Sequence, residues 1–191
     1  MKGWQNSDLS IIQSVAMNTN DADVNEYLTL VLMRHAKSDW SDGSLSDHDR
    51  PLNKRGRQDS PKMAQWLSQI DRVPDLILCS SAARTRETTD LLCNQWLSPP
   101  TKSISDSLYL ASPDAIMYTL ANEGGNAKCL MVLAHNPGMG QLVSVLSNQA
   151  IEMPTAAAAV FQVKADSWQA VGSSAQYTLL EFMRPKVLEL Q

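Results

Sequence analysis

From Tyr27 onward, short apolar runs alternate with longer amphipathic segments, and this alternation restricts the possible folds more than any other feature of the chain. Leu28 to Met33, Leu76 to Cys79 and Lys128 to Ala134 show little polar alternation, as expected of strands covered on both faces. A segment of helical period follows each, which is the pattern of βα units around a mostly parallel sheet. Leu52 to Ile70 reads as a helix, with Asn53 as its cap and Met63, Trp66, Leu67 and Ile70 on one face. Pro61 is expected to kink that helix or restart it after Ser60. Ala82 to Trp96 reads as a second helix and Thr101 to Asp106 as a further strand. Ser112-Pro113 supplies a cap and a first-turn proline for a helix to about Asn122. The Asn136-Pro137-Gly138 turn leads into a helix from Met139 to about Leu146. Ala157 to Val163 and Tyr177 to Met183 have no helix between them and read as a late antiparallel hairpin. The expectation is an α/β fold of three layers, a mostly parallel central sheet with helices on both faces.

With 191 residues and 43% hydrophobic content, one domain with a buried core is expected over residues 27–191. Residues 1–26 are rich in Asn, Asp and Ser, lack a sustained period, and read as a peripheral extension. A net charge of -4 argues against a chain built to coat nucleic acid or an anionic membrane. Yet ten of the sixteen Lys and Arg residues fall between Arg34 and Arg86. A locally basic region in an acidic protein suits a small anion pocket. Cys79, Cys93 and Cys129 have neither disulfide-framework nor C-x-x-C spacing, so a reducing cytoplasm is expected. The apolar stretch around Ile11 to Met17 is too short and too polar for a signal or a membrane span.

Three groupings fall at corresponding places in the pattern. Arg34-His35 ends the first strand, Arg84 opens the helix after the second, and His135 ends the strand from Lys128. In an open α/β sheet the carboxyl ends of parallel strands share one edge, where ligands bind. Two Arg and two His side chains are therefore expected to converge. Forked guanidinium donors match phosphate oxygens, and a helix start beside Arg84 adds backbone N–H groups. An imidazole attacks only when neutral, and two nearby guanidinium charges should push its pKa below about 6.5. His35, His48 and His135 show no metal-ligand spacing, and the adjoining arginines would repel a cation, so neither metal nor cofactor is expected. His48, within Ser46-Asp47-His48-Asp49-Arg50, reads as part of a solvated charged loop.

The segment Leu32-Met33-Arg34-His35-Ala36-Lys37 resembles the Arg-His-Gly signature of the histidine phosphatase superfamily, the phosphoglycerate mutase-like proteins. Arg50-Pro51-Leu52-Asn53-Lys54-Arg55-Gly56, Ser80 to Thr88 and Ala134-His135-Asn136-Pro137-Gly138 resemble the family's later motifs in order. The whole is most similar to the SixA-type phosphohistidine phosphatases. That resemblance implies His35 as a phosphorylated nucleophile, with Arg34, Arg84 and His135 holding the phosphoryl group. It also implies that the backbone of Pro154-Thr155-Ala156 approaches the phosphate.

Some positions depart from the family pattern. Ala36 replaces a glycine, Ser41 stands in place of an asparagine, and Leu110 stands where many members carry a glutamate acid. General acid help is worth about 10²–10⁴ in rate, and an imidazole leaving group depends on it less than an alkoxide does. The expected substrate is therefore phosphohistidine in a protein. A small phosphorylated metabolite is the alternative, as is a non-catalytic phosphate-binding regulatory module. Asp39, Asp42, Asp106 and Asp114 stand as unranked substitutes for the absent acid, and the oligomeric state is left open.

Overall fold

The computed structural model describes residues 27–172 and 175–189, so the expected extension over residues 1–26 lies outside the described residues. In chain order the elements are β1 (Tyr27–Arg34), α1 (Lys54–Gln69), β2 (Leu76–Ser80), α2 (Ala83–Cys93) and β3 (Thr101–Ser105). They continue with α3 (Pro113–Glu123), β4 (Cys129–Ala134), α4 (Gly138–Ser147), β5 (Ala158–Lys164), β6 (Gln176–Met183) and a short α5 (Pro185–Leu188). Among the described residues the strands form one sheet in the order β3-β2-β4-β1-β5-β6. The β3/β2, β2/β4 and β4/β1 pairs are parallel, whereas β5 runs antiparallel to both β1 and β6. The expected α/β class and late hairpin are both present.

Strand periodicity divides the core between the two faces of the sheet. Side chains alternate along a strand, so Leu28, Leu30 and Leu32 of β1 and Leu130 and Val132 of β4 join one cluster, with Ile116 and Leu120 of α3 and Leu142 and Val143 of α4. Val31 and Met33, with Met131 and Leu133, join the other, against Met63, Trp66 and Leu67 of α1 and Leu92 of α2. Two helices thus cover each face. Because both faces are covered, the central strands carry apolar residues at nearly every position.

Helix α1 runs through Pro61 without restarting. The ring removes one backbone donor, but the buried face made by Met63, Ala64, Trp66 and Leu67 continues past it, and this packing outweighs local propensity. At its start, the Asn53 side chain accepts from Gly56 N at 2.9 Å, and Asn53 N donates to the Lys37 carbonyl at 2.9 Å. A Cβ at Gly56 would meet that same carbonyl oxygen. The glycine therefore lets α1 lie directly against the loop that follows His35. Gly56→Ala should push this loop outward and cost about 1–3 kcal/mol, read as a lowered midpoint in urea unfolding with the slope unchanged.

Candidate active site

The topology places β1 between β4 and β5, and Arg34 is in register with Ala134. His35 and His135, the next residues along each strand, leave the same sheet edge side by side, their rings 5.0 Å apart between centroids. The neighbouring strand β2 brings Ser80 beside them, and α2, which follows it, carries Arg84 inward. All four expected residues meet here. Arg84 is 2% exposed and His135 1%, while Arg34 is half-buried.

Hydrogen bonds assign the protons on both imidazoles. His35 Nδ1 lies 2.7 Å from the Ala36 carbonyl, which can only accept, so Nδ1 carries the hydrogen and Nε2 keeps its lone pair. That lone pair faces Arg84 Nε at 3.3 Å. For His135 the order is reversed. Arg84 Nη2 can only donate, to Nδ1 at 3.1 Å, so Nε2 holds the hydrogen and gives it to Ser80 Oγ at 2.7 Å. One guanidinium thus spans both rings.

Burial, followed by the charges of Arg84, Arg34 and Arg50, lowers the His35 pKa to about 3 against the raising effect of the Ala36 carbonyl bond. Burial likewise lowers His135 to about 3, with His35 and Arg84 adding to the effect. The sequence reading attributed the depression to arginine alone; removal from water is the larger cause. Both rings are neutral across the physiological range. In the unfolded chain they would bind protons below about pH 6.5, so unfolding gains protons between that value and about 3. Stability should therefore fall as pH drops through that window. Thermal melts from pH 7 to 4 should show the fall, with a shallower slope for His135→Ala.

Arg34 is tied by Nη1 to the Met153 carbonyl at 2.9 Å, and its Nε is buried without a hydrogen-bond partner. The Pro154-Thr155-Ala156 loop lies alongside, with Ala156 N donating to the His35 carbonyl at 3.0 Å. This contact is to protein backbone and braces the loop that carries His35. Thr88 of α2 accepts from Ala36 N at 3.1 Å, joining that helix to the same loop. Leu110 is exposed with a φ of 49°, so the segment that carries it presents Tyr109 to the site in its place. The Tyr109 ring meets His135 edge-on at 5.5 Å between centroids.

In the Ser46 to Arg50 segment Ser46, Asp47 and Asp49 are exposed, as expected of a solvated loop, while His48 is half-buried and Arg50 buried. His48 Nε2 lies 3.0 Å from Ser81 Oγ, and the His48 carbonyl accepts from Ala83 N at 2.9 Å. It thereby caps α2, which has no side-chain cap of its own, and takes a backbone N–H that the sequence reading left free for an anion. Asp47 receives bonds from Arg84, Arg50 and Tyr109. Nothing in local sequence distinguished Asp47 from the other acids around it. Asp39 and Asp42 bond to Ser41 and Ser44 in exposed turns. Asp106 and Asp114 open a 3₁₀ turn and α3 respectively. Among the described residues none of these four hydrogen-bonds to His35, Arg34, Arg84 or His135. No helix among them is long and apolar enough to cross a membrane.

A pair of neutral imidazoles bridged by arginine at the carboxyl edge of a parallel sheet defines a class of phosphoryl-handling proteins, and residues 30–104 match the histidine phosphatase superfamily, branch 1. The chain belongs to that superfamily and resembles its SixA-type branch. It is 37% identical over 149 residues to an uncharacterized chloroplastic protein of Arabidopsis thaliana, covering 73% of this chain and 68% of the plant protein. A structure assigned as the phosphohistidine phosphatase SixA of Nakamurella multipartitia superposes with a TM-score of 0.73 at 25% identity, over 83% of this chain and 96% of that one. A SixA structure from Agrobacterium tumefaciens, assigned the same activity, gives 0.70 at 25% identity over 83% and 98%.

Proposed function

We propose that the chain is a metal-independent phosphatase that removes phosphate from phosphohistidine in a protein, through a covalent phosphohistidine on His35. The observation that carries this is the unprotonated Nε2 of His35, set by the proton on Nδ1, with the Arg84 guanidinium beside it as a donor that an incoming phosphoryl group would take over. Nε2 attacks phosphorus, and the electron pair of the broken bond leaves with the substrate nitrogen. The Ala36 carbonyl then steadies the Nδ1 proton of the resulting phosphoimidazolium. Water attacks in turn, the Nε2 lone pair is restored, and inorganic phosphate departs.

Arg34 and Arg84 hold the phosphoryl oxygens in this reading, and His135 joins them by turning its Nε2 hydrogen from Ser80 Oγ to the phosphoryl group. The buried, unpartnered Nε of Arg34 and the Nε and Nη1 of Arg50 supply donors that suit an anion. Charge stabilisation comes from these guanidinium groups, so no metal is required. The absence of a glutamate at Leu110 favours a nitrogen leaving group over an alkoxide. Three free cysteines suit work in a reducing cytoplasm.

Turnover of a phosphohistidine-bearing protein should exceed that of phosphoglycerate when kcat/KM is compared at pH 7 in the presence of a chelator. A preference for the ester would point to a small-molecule phosphomonoesterase instead.

A further inference from the structure

The Asp47 carboxylate sits on the cations that a phosphoryl group would meet. Its Oδ2 accepts from Arg84 Nη2 at 2.9 Å and from the Tyr109 hydroxyl at 2.8 Å, and its Oδ1 pairs with Arg50 Nη2 at 2.9 Å. The Asp47 carbonyl also accepts from Arg84 Nη1. Asp47 is the outermost member of this group, its side chain 45% exposed against 3% for Arg84 and 8% for Arg50. The arrangement is fixed from several directions. Trp40 covers the Arg50 guanidinium at 3.3 Å from its ring centroid, and Tyr109 is wedged between His48 and His135.

We propose that Asp47 is a specificity-determining residue, a fixed carboxylate that favours substrates whose leaving ring is cationic before the P–N bond breaks, such as N-phosphohistidine protonated on its second nitrogen, over phosphate monoesters. The inference rests on the phosphohistidine reading of the site. When His35 attacks an N-phosphohistidine whose second ring nitrogen is protonated, the P–N bond breaks and its electron pair passes to the leaving nitrogen. The substrate ring starts as a cation and departs neutral, so no proton has to be supplied. A carboxylate at the mouth of the site attracts that cationic ring. For a monoester the leaving oxygen acquires negative charge, and the same carboxylate opposes it. Asp47 also competes with phosphoryl oxygens for Arg84, a cost that falls on every substrate and that only attraction to a cationic substrate ring offsets.

Proton donation is not available to this group near pH 7. Burial pulls its pKa upward, but the Tyr109 hydroxyl bond and the charges of Arg84 and Arg50 outweigh it and hold the carboxyl below its ordinary range. It acts by charge and not as an acid.

The test compares kcat/KM for N-phosphohistidine with that for phenyl phosphate, in wild type and in Asp47→Asn, which keeps the shape and removes the charge. The ratio of the two should fall by about tenfold or more in the variant. If both rates change by the same factor, Asp47 merely positions Arg84 and the inference is overturned. Thermal melting establishes that the variant is folded, and Asp47→Ser carries the same comparison if Asp47→Asn is not. Failure of wild type to form a phosphoenzyme from either donor would overturn the phosphohistidine reading itself. An unchanged ratio in an active variant overturns the role of Asp47 alone.

Discussion

His35→Ala is expected to abolish the phosphoenzyme and lower kcat by at least about 10⁴-fold, because the variant removes the atom to which phosphorus would be bonded. Rapid quench with a ³²P-labelled phosphohistidine donor should trap one acid-labile, alkali-stable label per wild-type chain and none on the variant. The Nδ1 hydrogen bond to the Ala36 carbonyl and the facing Arg84 Nε present only Nε2 to an incoming phosphorus. The label should therefore sit on Nε2, which phosphorus NMR of the trapped protein can distinguish from Nδ1. Label that persists in His35→Ala would move the chemistry to another nucleophile. The fold should survive the change, since His35 lies in the loop after β1 and outside the clusters that hold the sheet to its helices.

Arg84→Lys should reduce kcat by about 10²–10³ with His35 still in place. The native guanidinium donates from Nε to His35, from Nη2 to His135 and Asp47, and from Nη1 to the Asp47 carbonyl. A lysine ammonium is a single point of charge and cannot span two imidazoles and a loop. The variant should form the phosphoenzyme more slowly and also hydrolyse it more slowly, since both steps pass through a phosphoryl group carrying spread charge. Single-turnover kinetics separate the two. A loss smaller than tenfold would mean that Arg34 and Arg50 carry the charge stabilisation and that Arg84 serves to align the rings.

Much of this architecture was legible in residue order. Nearly continuous apolar runs such as Leu28 to Met33 identify covered strands because both faces must be packed, and the Ser112-Pro113 and Asn53 caps mark helix starts through backbone chemistry that acts over three residues. The Arg34-His35 pair, Arg84 and His135 were identifiable because each directly follows a strand or opens a helix. At Pro61 the helix does not restart, for a complementary reason. Its local effect on a helix is real, but the continuous buried face of α1 decides the outcome through contacts with residues distant in sequence. In the charged stretch from Ser46 to Arg50 the exposure of Ser46, Asp47 and Asp49 agrees with the sequence, but the contacts of the segment do not show in it. Its composition is that of a solvated loop, and only the uncapped start of α2 and the side chains of Arg84 and Tyr109 give it partners.

The sequence by itself determined the α/β class, the late hairpin and the identity of four polar residues at strand ends, because hydrophobic period and capping are local properties. The tertiary structure alone decided that β4 inserts between β1 and β2, which sets His135 against His35 in register. It also decided the tautomer of each imidazole, the place of Ser80 behind His135 and the hold of Asp47 on Arg84. These depend on directed contacts between groups remote along the chain. Hydrogen bonds and ion pairs are specified by distance and angle in space, and residue order carries no direct record of either.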